Sequence, residues 1–118
     1  MILNKPSTTK VNILGTEYTV IVEKYDSNDN FDGCDGYFDG SVKEVHLAIT
    51  TPLDHEIKNI NCYRKQVLRH ELIHAFMFES GLDVSSNDTE SWAKNEEMID
   101  WWAIQFHKIE KVFKDLKV

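Results

Sequence analysis

Three residues of one short segment have the types and spacing that could bind and use a metal ion. In His70–Glu71–Leu72–Ile73–His74, two histidines lie four residues apart. Residues four apart in a helix share one face, so both imidazoles can bind the same ion. Glu71 points about 100° away from His70 and can act as a general base on a water at that ion. The segment therefore predicts a Zn²⁺ site with His70 and His74 as ligands and Glu71 as the catalytic residue.

A catalytic zinc site needs a third protein ligand and keeps one position for water. The second predicted helix offers three acids, Glu96, Glu97 and Asp100. At about 100° per residue, Glu96 falls on the core-facing flank of that helix's apolar stripe, whereas Glu97 falls near the opposite face. Glu96 is therefore the predicted third ligand, and Glu97 is predicted to be a solvated surface charge. Asp100, one turn after Glu96, is predicted to accept a hydrogen bond from a ligating histidine.

These residues also carry a resemblance to known peptidases. The segment NEEMID at residues 95–100 resembles the N-E-x-x-x-D motif of thermolysin-type gluzincins. Residues 96–103, which read EEMIDWWA, are similar to the E-x-x-A-N-x-F-A segment of ImmA/IrrE-type peptidases. The resemblance extends over roughly residues 64–106, and the His70–His74 motif is much more specific than the motif at residues 95–100. It implies a zinc peptidase with five site residues: His70, Glu71, His74, Glu96 and Asp100.

The chain departs from the ImmA/IrrE pattern at several positions. Trp102 stands where that family usually has Phe, and Glu97 is an additional acid. The helix-turn-helix that often accompanies the family is not recognised in the sequence, which argues against a transcriptional role. The resemblance implies a free-standing member of the kind that is common in phages and mobile elements.

The expected reaction is hydrolysis of a peptide bond in a protein or peptide substrate, with Glu71 carrying a proton from water to the leaving amine. By resemblance to zincins, the strand around residues 45–49 is expected to pair with an extended substrate. Tyr37, His46 and His107 are candidates for stabilising the oxyanion, and the sequence does not choose among them. It identifies neither the substrate nor the oligomeric state.

Two other functions fit the same metal ligands. The first is a non-enzymatic, zinc-stabilised binding protein. The second, implied by resemblance to the ImmA group, is a regulatory protein that acts on a repressor or host protein. A structural zinc site is closed by four protein ligands, whereas the sequence offers three beside a glutamate in the general-base position. This difference favours the enzyme.

The acidic segment 26–40 offers a weaker signal for a second metal. It begins like an EF-hand calcium loop at Asn28 and has Asp39 at the twelfth position. Because such a loop requires Asp first and Glu last, a solvated acidic turn is the favoured interpretation. Cys34 lies in the same segment and is an alternative zinc-capping thiolate that no spacing supports. Cys34 and Cys62 are predicted to be free thiols.

Hydrophobic periodicity predicts the elements that must position these residues. Alternating apolar residues predict a β-hairpin over residues 11–25 and a third strand over 42–49, with a loop at 26–40 between them. Helices are predicted from about 60 to 80 and from about 89 to 116; the first is apolar on nearly every side, as a buried central helix is. The expected fold is α+β, a small antiparallel N-terminal sheet packed on two helices in a minimal zincin-like architecture.

Length and charge restrict the classes of function. The 118 residues fit a single domain spanning residues 1–118. A net charge of −7 argues against nucleic acid, which requires a basic face. No apolar stretch is long enough to cross a membrane, and residues 1–10 have no apolar signal core, so the expected location is the cytoplasm.

Overall fold

The computed structural model describes residues 3–85 and 92–117 and has the predicted α+β architecture. The sequence also offers Asn87 and Asp88 as candidate N-caps of the second long helix, and both lie outside the described residues. Seven strands and helices follow one another along the chain: β1 (Ser7–Ile13), β2 (Thr16–Lys24), β3 (Gly36–Asp39), β4 (Glu44–Ile49), α1 (Ile60–Glu79), α2 (Leu82–Ser85) and α3 (Glu96–Leu116). Four short 3₁₀ helices connect them, at Tyr25–Ser27, Asp29–Phe31, Pro52–His55 and Trp92–Lys94.

The predicted hairpin is confirmed and consists of β1 and β2. Its two turn residues, Leu14 and Gly15, have φ angles of 52° and 94°. Two positive φ angles in succession are typical of the tight turn whose twist matches that of a hairpin. Tyr18, Val20 and Val22 alternate along β2 and are buried, so this face of the hairpin forms part of the core.

The sheet is mixed, and the prediction of a purely antiparallel sheet is wrong. Its strand order is β1-β2-β4-β3, with β2 and β4 parallel and β3 antiparallel to β4. The loop prediction for residues 26–40 omitted β3, since Gly36 and Asp39 are poor strand formers and this strand depends on pairing with β4. Because β4 lies between two strands, it is also not the open edge at which a substrate strand would pair; that edge is β3.

Helix α1 packs on one face of the sheet. The core between them contains ten buried residues: Leu3, Ile13, Tyr18, Val20, Val22, Val45, Leu47, Ile49, Leu68 and Ala75. The prediction that α1 is buried all round is wrong, because only Arg64, Leu68 and Ala75 are buried in it. Phe76, which follows Ala75 on the far side of the helix, is 44% exposed. One apolar side of α1 therefore has no cover from the described residues.

The segment between β2 and β3 covers the other face of the sheet. Phe31 is 1% exposed, and its ring lies edge-on to those of Tyr37 and His46. Tyr37 and His46, which are opposite each other in β3 and β4, stack with ring centroids 4.3 Å apart. This aromatic packing gives the acidic segment a structural role.

Helix α3 begins later than predicted, at Glu96. The side chain of Asn95 caps it by accepting a hydrogen bond from the backbone N–H of Met98 at 2.8 Å. Ile99 and Ala103 are fully buried, and the Arg69 guanidinium of α1 donates to the Ala103 carbonyl. These contacts fix the rotation of α3 relative to α1.

The carboxylate of Glu79, at the end of α1, joins the helix to the hairpin. The Tyr18 hydroxyl donates to Glu79 Oε2 at 2.6 Å, the Thr16 hydroxyl donates to Oε1, and Lys43 Nζ lies 3.4 Å from Oε2. The two hydroxyl donors and the Lys43 charge lower the pKa of Glu79. The same carboxylate, together with burial, raises the pKa of Tyr18.

Stability is therefore expected to fall in acid through Glu79. A carboxyl group whose pKa is lower in the folded chain stabilises the fold above its ordinary pKa, near 4.5, and loses that contribution as the pH falls toward the folded value. Glu79→Gln should destabilise the protein at pH 7, and the difference from wild type should shrink below about pH 4.5. Urea unfolding of both proteins from pH 7 to pH 3 measures this. Glu17→Gln, which changes an exposed acid of the same hairpin, is the control; a pH-independent Glu79→Gln difference would contradict the assignment.

Candidate metal centre

Two helices bring the predicted ligands together. His70 and His74 lie one turn apart on α1, and Glu96 lies in the first turn of α3. His70 Nε2 is 2.9 Å from Glu96 Oε2, His74 Nε2 is 3.1 Å from Glu96 Oε1, and the two Nε2 atoms are 3.2 Å apart. Among the described residues, this is the one group of three histidine, cysteine or acidic side chains whose donor atoms all lie within 4.8 Å of one another.

These distances match the ligand shell of zinc. With Zn–N and Zn–O bonds of about 2.0–2.1 Å and tetrahedral angles, neighbouring donor atoms are roughly 3.3–3.4 Å apart. The observed separations are 2.9 Å from His70 Nε2 to Glu96 Oε2, 3.1 Å from His74 Nε2 to the other oxygen, Oε1, and 3.2 Å between the two nitrogens. Each lies within about half an ångström of the tetrahedral value. The donor set of two imidazoles and one carboxylate is also one that zinc uses in catalytic sites. The residues therefore fit a zinc ion.

Asp100 determines which nitrogen of His70 faces the cluster with a lone pair. Its Oδ1 lies 3.3 Å from His70 Nδ1. A neutral imidazole that donates Nδ1–H to a carboxylate has its lone pair on Nε2. That lone pair would face the Glu96 carboxylate oxygen, an unfavourable contact unless a cation lies between the two atoms. A proton or a metal ion between the two atoms would supply this positive charge.

The environment of His74 favours the form that binds metals. Burial lowers the pKa of His74, and the nearby Glu96 carboxylate only partly opposes this effect. The neutral imidazole therefore predominates near neutral pH, and it is the neutral ring that can donate a lone pair to a metal ion.

Glu71 lies beside the cluster without belonging to it. It faces a cleft of about 410 Å³ between α1, α3 and the start of β3, and an adjoining depression of about 230 Å³ along β3. Both are lined by His70, Glu71, Glu96 and Gly36. Burial raises the pKa of Glu71 to about 7, with a smaller contribution from the Glu96 charge. Glu71 is thus a carboxyl group able to gain and lose a proton near neutral pH.

Glu97 is exposed, as predicted, and takes no part in the group of three donors. It follows Glu96 directly, so its side chain leaves α3 about 100° further round. The geometry brings His70, Glu71, His74, Glu96 and Asp100 together and leaves Glu97 outside.

Of the three candidates for oxyanion stabilisation, Tyr37 lines the depression beside the cluster, whereas His46 and His107 line neither part of the cleft. Tyr37 and His46 stack on the face of the sheet opposite α1, where the Tyr37 hydroxyl accepts from Asn28 at 2.8 Å and His46 Nε2 lies 3.0 Å from Glu44. His107 is exposed on α3, two turns beyond Asp100, and does not line either part of the cleft.

Two residues of the cleft, Tyr63 and Asp35, were missed in the sequence. The Tyr63 hydroxyl donates to the Asp35 carboxylate at the wall of the cleft. Burial and the Asp35 charge raise the pKa of Tyr63 to about 12, so the phenol keeps its proton. A signal was present for Tyr63, since it precedes His70 by seven residues and so lies on the same face of α1. No sequence signal pointed to Asp35, because its position depends on the path of the chain into β3.

Gly36 was also missed, and it lies where there is no room for a side chain between β3, β4 and α1. A Cβ atom there would lie 2.9 Å from the His46 carbonyl oxygen, 3.0 Å from Val67 Cγ1 and 3.2 Å from Glu71 Cγ. The first of these atoms is backbone and cannot move independently of the sheet. Only glycine lets the edge strand approach the helix at the level of the candidate base.

Gly36→Ala is therefore expected to move Glu71 as well as to destabilise the fold. The overpacked contact should cost about 1–3 kcal/mol. Gly40→Ala is the matched control, since its Cβ would lie 2.7 Å from the Phe78 ring, at the other end of β3. Chemical denaturation measures both losses, and zinc-dependent hydrolysis should fall further in Gly36→Ala than its unfolded fraction explains. Equal residual hydrolysis per folded molecule in the two variants would contradict this role.

In the acidic segment 26–40, the residues at the first and twelfth positions of the calcium-loop pattern make local hydrogen bonds. The Asn28 side chain accepts from the Asn30 backbone N–H and donates to Glu23 and Tyr37, and Asp39 accepts hydrogen bonds from Ser41. Cys34 lines the wall of the cleft but is not one of the three clustered donors. Cys34 and Cys62 are free thiols, as predicted.

Comparison with family models, with curated proteins and with solved structures finds no match to this chain. Among the described residues, no helix has the length and apolar content needed to cross a bilayer.

Proposed function

We propose that this protein is a zinc-dependent peptidase of the cytoplasm that cleaves extended segments of proteins or peptides. The observation that carries the proposal is the convergence of His70, His74 and Glu96 from two helices, with Glu71 beside them in the same cleft. Three ligands leave a coordination position for water, which distinguishes a catalytic site from a closed structural one. The resemblance to gluzincins rests on the same residues.

The chain's own residues account for the proton transfers of peptide hydrolysis. When bound, a zinc ion supplies a Lewis acid at the cleft and makes water more acidic. Glu71 takes a proton from the attacking water as the new C–O bond forms. It then returns this proton to the leaving nitrogen as the C–N bond breaks, which regenerates the carboxylate. Asp100 positions the His70 ring through Nδ1.

The open edge of the sheet supports an extended substrate. The Ala48 N–H donates to the Asp35 carbonyl at 2.8 Å, so these residues form a hydrogen-bonded pair of the antiparallel ladder. Because such pairs alternate with unbonded ones, the N–H and C=O groups of Gly36 and Phe38 point away from β4. Both residues line the depression that contains the metal cluster. A peptide that adds to this edge as a strand would pass directly beside Glu71.

Measuring the zinc content of the protein tests the metal site on which the proposal depends. Protein purified without chelator is expected to contain about one zinc per chain, and His70→Ala or His74→Ala should lose it, because two ligands cannot hold the ion as three do. His107→Ala is the matched control, since this exposed histidine lies outside the cleft. Elemental analysis gives the content. Wild-type protein with no zinc as purified, and no uptake on titration, would rule out the proposed function.

A further inference from the structure

Helix α3 carries an apolar seam that continues far beyond its contact with α1. Its residues recur at alternating intervals of four and three along the chain: Trp102, Phe106, Ile109, Phe113 and Leu116. Four of them are strongly exposed, at 37% for Trp102, 47% for Phe106, 52% for Phe113 and 66% for Leu116. This spacing is that of a helix that packs along its length against another helix.

The seam opens into an apolar groove between α1 and α3. The groove has a volume of about 430 Å³ and is lined by Arg69, Leu72, Ile73, Phe76, Met77, Trp102 and Phe106. It is the uncovered side of α1, the helix whose all-round apolar sequence predicts burial. None of the described residues covers it. Groove and seam share Trp102 and Phe106, so they form one continuous apolar surface.

We propose that this surface is the interface of a homodimer, in which the α3 helices of two copies pack antiparallel about Ile109. A fully buried aromatic side chain removes about 150–250 Å² from water, so the three aromatics of the seam, which are about half exposed, offer roughly 500 Å² per chain together with Leu116 and the groove walls. Two copies would then bury on the order of 1,000 Å², the lower limit for a specific interface. An exposed apolar patch of roughly 500 Å² lies in the upper part of the range for the largest patch on a monomer, and such patches often mark interaction sites.

The surface is complementary to itself in this orientation. Positions equally distant from Ile109 face each other across a twofold axis, so Leu116 of one copy lies opposite Trp102 of the other, and Phe113 lies beside Phe106. Phe113 and Leu116, which do not line the groove of their own chain, thus reach the partner's groove. The surface contains both the side chains that would insert and the groove that would receive them, so its partner can be a second copy of this chain.

Charge favours the antiparallel orientation over the parallel one. The first turns of α3 contain three acids, Glu96, Glu97 and Asp100. Residues 108–117 contain four lysines and two acids, Glu110 and Asp115, and so carry a net charge of +2, which is four minus two. An antiparallel pair directs the basic end of each helix toward the acidic start of the other and opposes the two helix dipoles. A parallel pair would instead bring like charges together in a chain whose net charge is already −7.

Sedimentation velocity across a concentration series tests the dimer, which does not depend on zinc. The wild-type mass should rise from monomer to dimer with a dissociation constant of roughly 1–100 µM, given the modest area. Phe113→Glu should weaken association at least tenfold, because it introduces like charges into the seam. Trp101→Glu is the matched control: Trp101 has almost the same exposure, 53%, but lies about 100° from Trp102 on the helix. A wild type that stays monomeric to about 1 mM would overturn the dimer, and so would equal behaviour of the two variants.

Cysteine cross-linking tests the orientation. In a background with Cys34→Ser and Cys62→Ser, Ile109→Cys lies on the twofold axis and should oxidise to a covalent dimer. Trp102→Cys should not, because its counterpart lies at the far end of the partner's seam. Efficient cross-linking at both positions would indicate a parallel pair and overturn the antiparallel arrangement.

Discussion

Replacing Glu71 with glutamine is expected to leave zinc binding unchanged and to lower peptide hydrolysis by about 10²–10⁴-fold, the usual contribution of a general base. Glutamine keeps the size of the side chain and its contact with Gly36 but cannot take the proton from water. Glu71 is not among the clustered donors, so the metal should remain. Hydrolysis of an unfolded protein, measured beside elemental analysis of the same samples, separates the two effects.

Glu97→Gln is the control for this loss of charge. It removes one exposed carboxylate from α3. Because this carboxylate lies outside the site, hydrolysis should stay at the wild-type rate. If Glu71→Gln keeps its zinc and still cleaves at the wild-type rate, Glu71 is not the base. If wild type binds zinc but cleaves no peptide, the non-enzymatic binding protein becomes the better interpretation of the site.

Glu96→Ala is expected to weaken zinc binding by well over tenfold, which corresponds to more than about 1.4 kcal/mol. The reason is the position of its two carboxylate oxygens, which lie 2.9 Å from His70 Nε2 and 3.1 Å from His74 Nε2. Asp100→Ala should weaken binding by roughly 10–100-fold, the usual effect of removing a group that orients a ligand. Competition with a chromophoric chelator measures both affinities.

Glu97→Ala is the control in this series, because it removes the carboxylate next to Glu96. It should change zinc affinity little, since a solvated charge outside the site contributes little. The order Glu96, Asp100, Glu97 follows from the rotation of α3, which Ile99 and Ala103 fix by their burial. A larger loss for Glu97→Ala than for Glu96→Ala would mean that α3 is rotated in solution. The resemblance to gluzincins would then depend on the His70–His74 segment alone.

The candidate site could be predicted largely because its parts are local. His70, Glu71 and His74 occupy one turn of one helix, so their relative positions follow from helix geometry. Glu96 and Asp100 could be chosen over Glu97 because the apolar stripe through Ile99 and Ala103 indicates which side of α3 faces inward. These predictions required no knowledge of how the chain crosses the sheet.

The features that escaped prediction depend on distant parts of the chain. Strand β3 contains Gly36 and Asp39 and becomes a strand only by pairing with β4. Strand β4 lies between β2 and β3 and pairs parallel with β2. Hydrophobic periodicity does not indicate which strands are neighbours in the sheet. The exposure of Phe76 on α1 has the same origin, since an apolar helix is buried only on the sides that other elements reach.

The central position of β4 also has a kinetic consequence. Each half of the sheet is a local hairpin, β1–β2 and β3–β4, that can form from neighbouring residues. The parallel β2–β4 pair joins the two hairpins and closes a loop from Lys24 to Glu44. Closing this loop costs conformational entropy, which must be overcome before Val20 and Val45 come into register. Non-local strand pairing of this kind slows folding. We expect the docking of the two hairpins to limit the folding rate, and Glu71 to reach its place against Gly36 only after that step.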